Sequence, residues 1–470
     1  MDIKTLTLQQ ARNDLDAKKY SAGELADACL SVADTKKSLN IYLEVFGDVK
    51  EQALRADKAI AQGKRAPLLG IPLAIKDNIL IDGRHASAAS RMLEHYKAPY
   101  DATVISKLKN AGAVFLGRTN MDEFAMGSST ENSAYGPTLN PHDPSRVPGG
   151  TSGGSAAAVA AGTVIAALGS DTGGSVRQPA SFCGVVGLKP TYGAVSRYGL
   201  MAMGSSLDQI GPLGKTVADT ELLFSVIAGH DKKDSTTLPE DMRAKKVTPP
   251  RRIGVPRDLL LGHMDEDVRE NFENNLEMLK SKGYEIVDIA LPHASYALAA
   301  YYIVMPAEVS TNMARYDGVR FGLHVQGASL ADDYGKSRGA GFGPEVRRRI
   351  LLGTYVLSSG YYDAYYYRAQ VARECIAQDY IEAFKKVDLI ATPTSSTPAF
   401  AIGEKEDPLS MYLADIFTVT ANLTGMPAIS VPCGVVTRNG ASLPLGLQLT
   451  APYLCESRLF HAGKDIESSV

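Results

Sequence analysis

The sequence has no tryptophan and only five cysteines in 470 residues. The cysteines form no CxxC pair, their number is odd, and none lies near a histidine at the spacing of metal ligands. We therefore expect no disulfide framework and no metal site, which fits a reducing compartment, and we interpret all five as buried apolar residues. They are Cys29, Cys183, Cys375, Cys433 and Cys455.

Long apolar runs and long runs of one charge are also missing. The N-terminus, MDIKTLTLQQARNDL, lacks the basic-then-apolar order of a signal peptide. The longest apolar stretch, residues 155–168, is interrupted by glycine and too short to span a bilayer. The formal net charge of -3 gives no broad field that would attract nucleic acid. We expect a soluble, cytoplasmic protein that makes no membrane contact.

Alternating apolar patterns predict an α/β fold, with one large mixed β-sheet covered on both faces by helices. The first 65 residues are interpreted as helices: residues 7–19 capped by Thr7, residues 21–32 capped by Ser21, and residues 49–62. Strands are then predicted at residues 70–75 and 113–116, with a helix at 103–110 between them.

The C-terminal half continues the alternation after a polar stretch. Residues 231–250 are rich in charge and bounded by prolines, which indicates a surface connection. Strands are predicted at 252–255, 285–289, 389–391, 428–431 and 446–449, and helices at 265–282, 297–315, 344–357 and 362–385. No internal repeat is apparent, so we expect residues 1–470 to form a single catalytic domain.

Residues 127–214 are dense in glycine and serine and poor in charge. Glycine weakens helices and strands through backbone entropy, so this segment indicates backbone that turns sharply or approaches another group closely. We interpret it as the active-site region.

Two residues carry the chemistry that this region suggests. Lys76 ends the apolar run GIPLAIK, and burial would lower its pKa and make its amine available as a general base. Ser175 ends the run Thr172-Gly173-Gly174, whose consecutive backbone N–H groups form a natural nest for a developing oxyanion.

Three segments together resemble the amidase signature family: GIPLAIKDN (70–78), PGGTSGGSAAA (148–158) and GSDTGGSVRQPASFCG (169–184). In that family a Lys, a cis-peptide Ser and a nucleophilic Ser form a catalytic relay. The resemblance implies that Ser175 is the nucleophile and Lys76 the base, with Thr172, Gly173 and Gly174 as the oxyanion hole.

The sequence departs from the family at the middle hydroxyl, where Thr151 stands in GGTSGGS instead of Ser. Thr keeps a hydroxyl that can pass a proton but adds a methyl group beside the expected cis peptide. We expect Thr151 to be the relay residue. Ser152 is the alternative hydroxyl, although the register disfavours it.

Further segments, from NMDEFAMGSSTENS (120–133) to DPLSMYLADIFTVTANLTGMPAISVPCG (407–434), resemble the branch of the family that releases ammonia from glutamine for tRNA-dependent amidation. Free glutamine carries a carboxylate and an ammonium, which suit an Arg and an Asp respectively. The resemblance implies that Arg349 and Asp415 fill these roles. It adds Ser128, Ser129 and, less firmly because two tyrosines adjoin, Tyr301 to the substrate-binding residues.

The same resemblance implies partners. The ammonia would pass to a B subunit that activates misacylated Glu-tRNA or Asp-tRNA with ATP and Mg²⁺, and a small C subunit would tie the two together. The chain itself is expected to hold no cofactor. PLGKT at 212–216 ends like a phosphate loop, but Gln209 stands where that loop requires glycine.

Three alternatives remain at this point. GTSGG at 150–154 matches the serine elbow G-x-S-x-G, but no strand precedes it, which disfavours an α/β-hydrolase. A stand-alone amidase for other small amides would share the relay. A scaffold that has lost its chemistry would be compatible only with the change at Thr151.

Overall fold

One mixed β-sheet of eleven strands organises the chain in a computed structural model that describes residues 1–243, 247–262 and 264–469. The strand order is β1-β3-β2-β4-β6-β5-β10-β11-β9-β7-β8. The strands are β1 Tyr42–Val45, β2 Pro72–Lys76, β3 Val114–Thr119, β4 Ala166–Asp171, β5 Val186–Lys189, β6 Gln209–Gly214, β7 Arg252–Val255, β8 Glu285–Asp288, β9 Leu389–Pro393, β10 Ala428–Arg438 and β11 Ala441–Thr450.

Helices surround this sheet. They are α1 Leu8–Asp16, α2 Ala22–Thr35, α3 Val49–Ala61, α4 Thr103–Asn110, α5 Gly153–Ala160, α6 Arg177–Cys183, α7 Val217–Ile227, α8 Glu240–Arg243, α9 Arg257–Leu260, α10 Glu266–Ser281, α11 Ala297–Asn312, α12 Leu330–Gly341, α13 Pro344–Val356, α14 Arg368–Ala383, α15 Pro408–Tyr412, α16 Val419–Leu423 and α17 Glu456–Glu467. Every residue of β2, β4, β5, β6 and β9 is buried. Because side chains alternate between faces along a strand, both faces of the sheet centre are covered, and the predicted α/β fold is confirmed.

The predicted helix starts agree with the caps. The side chain of Thr7 accepts a hydrogen bond from Gln10 N at the start of α1. Ser21 and Glu24 form a reciprocal capping box at the start of α2. The prediction of helix alone across the first 65 residues is wrong in one place, because Tyr42–Val45 forms β1, which pairs antiparallel with β3 at the sheet edge. Four residues between helices carry little periodic signal, and β3 supplies the pairing.

The C-terminal strands are longer than predicted, because β10 and β11 form one hairpin across residues 428–450. Asn439 and Gly440, both at positive φ, make its turn. The predicted strand–helix–strand unit is present, since β7 and β8 pair in parallel and α10 lies between them in the chain. The helix predicted at 362–385 begins as a π-helix, Tyr362–Tyr367.

The predicted surface connection is only partly exposed. Within its described residues Asp234 and Thr237 are buried, and the Asp234 carboxylate accepts a hydrogen bond of 2.8 Å from the Arg197 amide. Residues 244–246 of that stretch lie outside the described residues. The assignment of the whole chain to a single domain stays a prediction.

Candidate active site

Lys76 lies at the carboxyl end of β2 and is fully buried. Its Nζ is 2.7 Å from Thr151 Oγ1, 2.8 Å from Ser152 Oγ and 2.9 Å from Ser170 Oγ. The Ser170 carbonyl oxygen lies 3.2 Å away. The amine is therefore held by three hydroxyl groups, and no carboxylate among the described residues pairs with it directly.

This environment changes the protonation of the amine. Burial lowers the pKa of Lys76 to about 7, against the opposing charges of Asp122, Asp171 and Asp208. A substantial fraction of the side chain is then neutral at neutral pH. Lys76 can accept a proton there, as a general base requires.

The middle hydroxyl belongs to a segment with unusual backbone. The peptide bond between Gly150 and Thr151 is cis. The Gly150 amide donates to Gln178 Oε1 at 2.8 Å, and the Ser152 amide donates to the Ser175 carbonyl at 3.1 Å. The Ser152 contact brings the Thr151 segment and the expected nucleophile side by side at the start of α5 and α6.

The hydrogen bonds distinguish the two candidate relay hydroxyls. Ser152 Oγ donates to the Ser170 carbonyl at 3.1 Å, so its proton is already engaged and it can only accept from Lys76. Thr151 Oγ1 makes no other hydrogen bond within the described residues. The geometry therefore favours Thr151 as the hydroxyl that can give its proton to Lys76.

Ser175 is 8% exposed, whereas Lys76 and Thr151 are fully buried. Its hydroxyl thus faces the open side of the group. No hydrogen bond joins Ser175 Oγ to Thr151 Oγ1 in the part of the chain that the structure describes. The Lys76–Thr151 half of the relay is formed, and the contact with the nucleophile is not.

The backbone around Ser175 is shaped by Asp171. Its carboxylate accepts hydrogen bonds from the amides of Gly174 at 2.9 Å and Val176 at 3.1 Å. The Gly174 amide therefore already has an acceptor, contrary to its simple use as an oxyanion donor. The amides without an acceptor among the described residues are those of Thr172, Gly173 and Ser175.

Two further contacts fix this loop. Thr172 Oγ1 donates to Asp208 Oδ1 at 2.7 Å. Thr418 Oγ1 donates to the Gly173 carbonyl at 2.6 Å, which turns the Gly173 peptide. The Tyr301 ring packs against Gly173, since a Cβ added there would lie 2.5 Å from Tyr301 Oη. Tyr301 therefore lies at the expected oxyanion hole.

Asp415 lies close to several of the predicted binding residues. Its Oδ2 accepts hydrogen bonds from Ser128 Oγ at 2.8 Å and from Tyr302 Oη at 3.0 Å. Burial raises the pKa of Asp415 to about 6, although the Ser128 and Tyr302 hydrogen bonds and Arg349 act to lower it. The carboxylate is ionised at neutral pH and can accept from an ammonium group.

Arg349 is also buried and lies on α13. Its Nε donates to Glu345 Oε1 at 2.8 Å, and its guanidinium carbon lies 5.6 Å from the ring centres of both Tyr302 and Tyr412. Burial lowers its pKa, but Glu345 outweighs burial and the net pKa is raised, so the side chain is always charged. The structure thus brings together Arg349, Tyr302 and Asp415.

Ser129 does not join this cluster. Its amide lies beside Gly150, and a Cβ added to Gly150 would lie 2.5 Å from that nitrogen. The Ser129 hydroxyl accepts a long hydrogen bond of 3.4 Å from the Glu131 amide. Ser129 therefore supports the cis-peptide segment, and Ser128 faces Asp415.

Several residues of the site were missed by the sequence analysis. Asp171 and Asp208 hold the loop before Ser175, and Tyr302, Tyr412 and Glu345 surround Arg349. Asp171 alone carried a usable signal, because it precedes the glycine run directly. The others lie far from the motifs in the chain.

Within residues 1–243, 247–262 and 264–469, no group of three or more His, Cys, Asp or Glu side chains is placed to hold a metal ion. In the same residues no helix has the length and apolar character needed to cross a bilayer.

Comparisons with known proteins agree with this geometry. The family model described as Amidase matches residues 24–460. The A subunit of glutamyl-tRNA(Gln) amidotransferase from Desulfatibacillum aliphaticivorans is 50% identical over 100% of this chain and 98% of that protein. The crystal structure of the A subunit of glutamyl-tRNA(Gln) amidotransferase from Thermotoga maritima superposes with a TM-score of 0.82 at 43% identity, covering 100% of this chain and 95% of that one. The native peptide amidase of Stenotrophomonas maltophilia gives a TM-score of 0.83 at 28% identity over 99% of this chain and 97% of that one.

Proposed function

The chain belongs to the amidase family, and on that premise we propose that it hydrolyses the side-chain amide of free glutamine as the amidase component of a tRNA-dependent amidotransferase. The observation that carries the proposal is the buried pair of opposite charges, Asp415 and Arg349, joined through Tyr302. Glutamine offers an ammonium and a carboxylate on one carbon, and these two side chains complement them.

The first chemical step forms an acyl-enzyme. Ser175 Oγ attacks the amide carbon and passes its proton to Thr151 Oγ1, while the Thr151 proton moves to Lys76 Nζ. The Lys76–Thr151 distance of 2.7 Å suits the second transfer, and closure of Ser175 onto Thr151 on substrate binding supplies the first. The free amides of Thr172, Gly173 and Ser175 stabilise the negative charge that develops on the carbonyl oxygen.

The second half of the reaction releases the products. The proton on Lys76 returns through Thr151 to the amide nitrogen, the carbon–nitrogen bond breaks, and ammonia leaves. Water then attacks the ester on Ser175, with Lys76 and Thr151 again taking the proton. Glutamate leaves, and Ser175 regains its hydroxyl.

The proposal extends to partners through the relatives, each of which is named as one lettered component of an amidotransferase. We expect a B subunit to use ATP and Mg²⁺ to activate misacylated Glu-tRNA or Asp-tRNA and to receive the ammonia, and a C subunit to join the two. The residues of this chain would then need only to bind glutamine and release ammonia.

The test measures ammonia from glutamine with the full chain, alone and co-expressed with candidate B and C subunits. We expect ammonia from the wild type and none from Ser175→Ala, while Ser225→Ala, at an exposed position on α7, serves as the matched control. Misacylated tRNA, ATP and Mg²⁺ added to the complex should convert the ammonia into amidated tRNA. Turnover of many aliphatic amides without turnover of glutamine would overturn the proposal in favour of a stand-alone amidase.

A further inference from the structure

Tyr302 on α11 lies between the two charged residues of the proposed glutamine site. Its hydroxyl donates to Asp415 Oδ2 at 3.0 Å. Its ring faces Arg349, whose guanidinium carbon is 5.6 Å from the ring centre. One side chain therefore contacts both the group suited to an ammonium and the group suited to a carboxylate.

The hydrogen bonds of Asp415 show what the hydroxyl does. Ser128 and Tyr302 both donate to Oδ2, and neither donates to Oδ1. A carboxylate with one oxygen held by two neutral donors has its plane fixed and presents the other oxygen to a ligand. The hydroxyl of Tyr302 thus sets the direction in which Asp415 accepts.

The ring of Tyr302 is itself fixed from both sides. It stacks on Tyr412 at 3.8 Å between ring centres and 20° between planes, and it meets Tyr301 edge-on at 5.0 Å. Glu345 Oε1 accepts from both Arg349 Nε and Tyr412 Oη, at 2.8 Å and 3.1 Å. Arg349 therefore keeps its two terminal nitrogens for a ligand, one of them in loose contact with Met305 Sδ at 3.6 Å.

We propose that Tyr302 is the positioning residue that sets Asp415 and Arg349 at the spacing of an α-ammonium and an α-carboxylate, and so restricts the site to amides of α-amino acids. The hydroxyl serves the ammonium end and the ring serves the carboxylate end. This inference rests on the proposed function, and it names a residue that binds no substrate atom itself.

The two halves of Tyr302 can be removed separately. Tyr302→Phe removes the hydroxyl and keeps the ring, whereas Tyr302→Leu removes both. The probes are glutamine, glutaramate, which lacks the ammonium, and 4-aminobutanamide, which lacks the carboxylate. The readouts are kcat and KM for glutamine and the inhibition constants of the two analogues against glutamine, with the full chain and any subunits that co-purify.

We expect Tyr302→Phe to raise the KM for glutamine about tenfold or more, since a hydrogen bond to a charged group is lost, with little change in kcat. The inhibition constant of 4-aminobutanamide should rise with it, and that of glutaramate should not. Tyr302→Leu should weaken both analogues. Tyr296→Phe, at an exposed tyrosine of the same region, should change none of these values.

An unchanged KM in Tyr302→Phe, or an equal loss for glutamine and both analogues, would overturn the inference. Either result leaves the proposed function intact provided that the wild type releases ammonia from glutamine. If the wild type releases none, the proposed function fails first and separately.

Discussion

At the scale of single residues, burial decides what Lys76 can do. The amine is surrounded by the hydroxyls of Thr151, Ser152 and Ser170, which solvate it without the charge of a carboxylate. Hydroxyls compensate a buried amine only in part, so the neutral form gains relative to water. A carboxylate in the same place would keep the amine protonated and unable to act as a base.

The pH dependence of glutamine hydrolysis follows from this environment. With the pKa of Lys76 at about 7, kcat/KM should rise with pH through about 7 and level off above it, because only the neutral amine accepts a proton. Asp122 raises that pKa by its charge, so Asp122→Asn should move the midpoint to lower pH. A kcat/KM profile from pH 5 to 9 measures both. A midpoint that moves upward in Asp122→Asn would contradict the assignment.

The relay hydroxyl gives a second prediction at this scale. Thr151→Ala should lower kcat by about 10²–10⁴, the usual contribution of a positioned proton-transfer group, while the protein stays folded. Thr151→Ser keeps the hydroxyl and should retain most of the activity. Ser152→Ala removes an acceptor of Lys76 and should reduce kcat less than Thr151→Ala. Steady-state ammonia release with circular dichroism as a folding check measures all three, and equal activity in Thr151→Ala and wild type would remove Thr151 from the mechanism.

Individual residues also show where sequence reasoning stops. Lys76 and Ser175 were predictable because each lies inside a short motif whose local pattern indicates its chemistry. Tyr301 and Tyr302 are neighbours on α11, and adjacent helical residues point in directions about 100° apart. Only the packing of α11 against Asp415 and Gly173 shows that Tyr302 reaches the carboxylate and that Tyr301 reaches the loop before Ser175.

At the scale of elements, the loop between β4 and α6 is held by packing as much as by hydrogen bonds. Gly173 has no room for a side chain, because a Cβ would lie 2.5 Å from Tyr301 Oη and 2.6 Å from Tyr301 Cζ. A methyl group at this position must push Tyr301 away or move the loop. Either change displaces the amides expected to bind the oxyanion.

Gly173→Ala should therefore lower kcat by about 10²-fold or more, the size of effect seen when an oxyanion donor is lost. Gly335→Ala is the matched control, because Gly335 lies in α12 with nothing within 4 Å of an added Cβ. That control should keep full activity and gain about 0.5–1 kcal/mol in the free energy of unfolding, since alanine favours a helix. Ammonia release and urea denaturation of both variants provide the measurements. Full activity in Gly173→Ala would show that the loop tolerates the methyl group.

The elements themselves were predictable to the extent that their stability is local. The helix α10 and the strand β7 follow from periodic apolar residues and lie within a residue of the predicted bounds. The strand β1 was not predictable, because its four residues are held by pairing with β3, about 70 residues further along the chain. Its hydrogen bonds are non-local, and no local pattern records them.

At the scale of the whole molecule, one buried cluster joins the two halves of the chain. Arg177 on α6 forms an ion pair with Asp171, and its guanidinium also donates to Asn422 Oδ1 and Gln448 Oε1, both at 2.6 Å. It donates to the Thr418 carbonyl at 2.9 Å as well. Burial acts to raise the pKa of Asp171, but Arg177 outweighs it and holds that pKa well below its usual range. The same cluster orients the loop before Ser175, so stability and catalysis depend on it together.

Arg177→Met should lower the free energy of unfolding by about 3–5 kcal/mol, because it leaves the Asp171 carboxylate buried without its charged partner. The loss should appear in both halves of the chain at once, since Arg177 contacts Asp171 near β4 and also α16 and β11. Urea denaturation gives the free energy, and hydrogen exchange of β4 and β11 shows whether the two regions open together. Arg257→Met is the matched control, because Arg257 pairs at the surface with Asp288 at 3.1 Å, where an ion pair contributes little. If Arg177→Met destabilised only the region around β4, the two halves would fold independently and the cluster would serve the active-site loop alone.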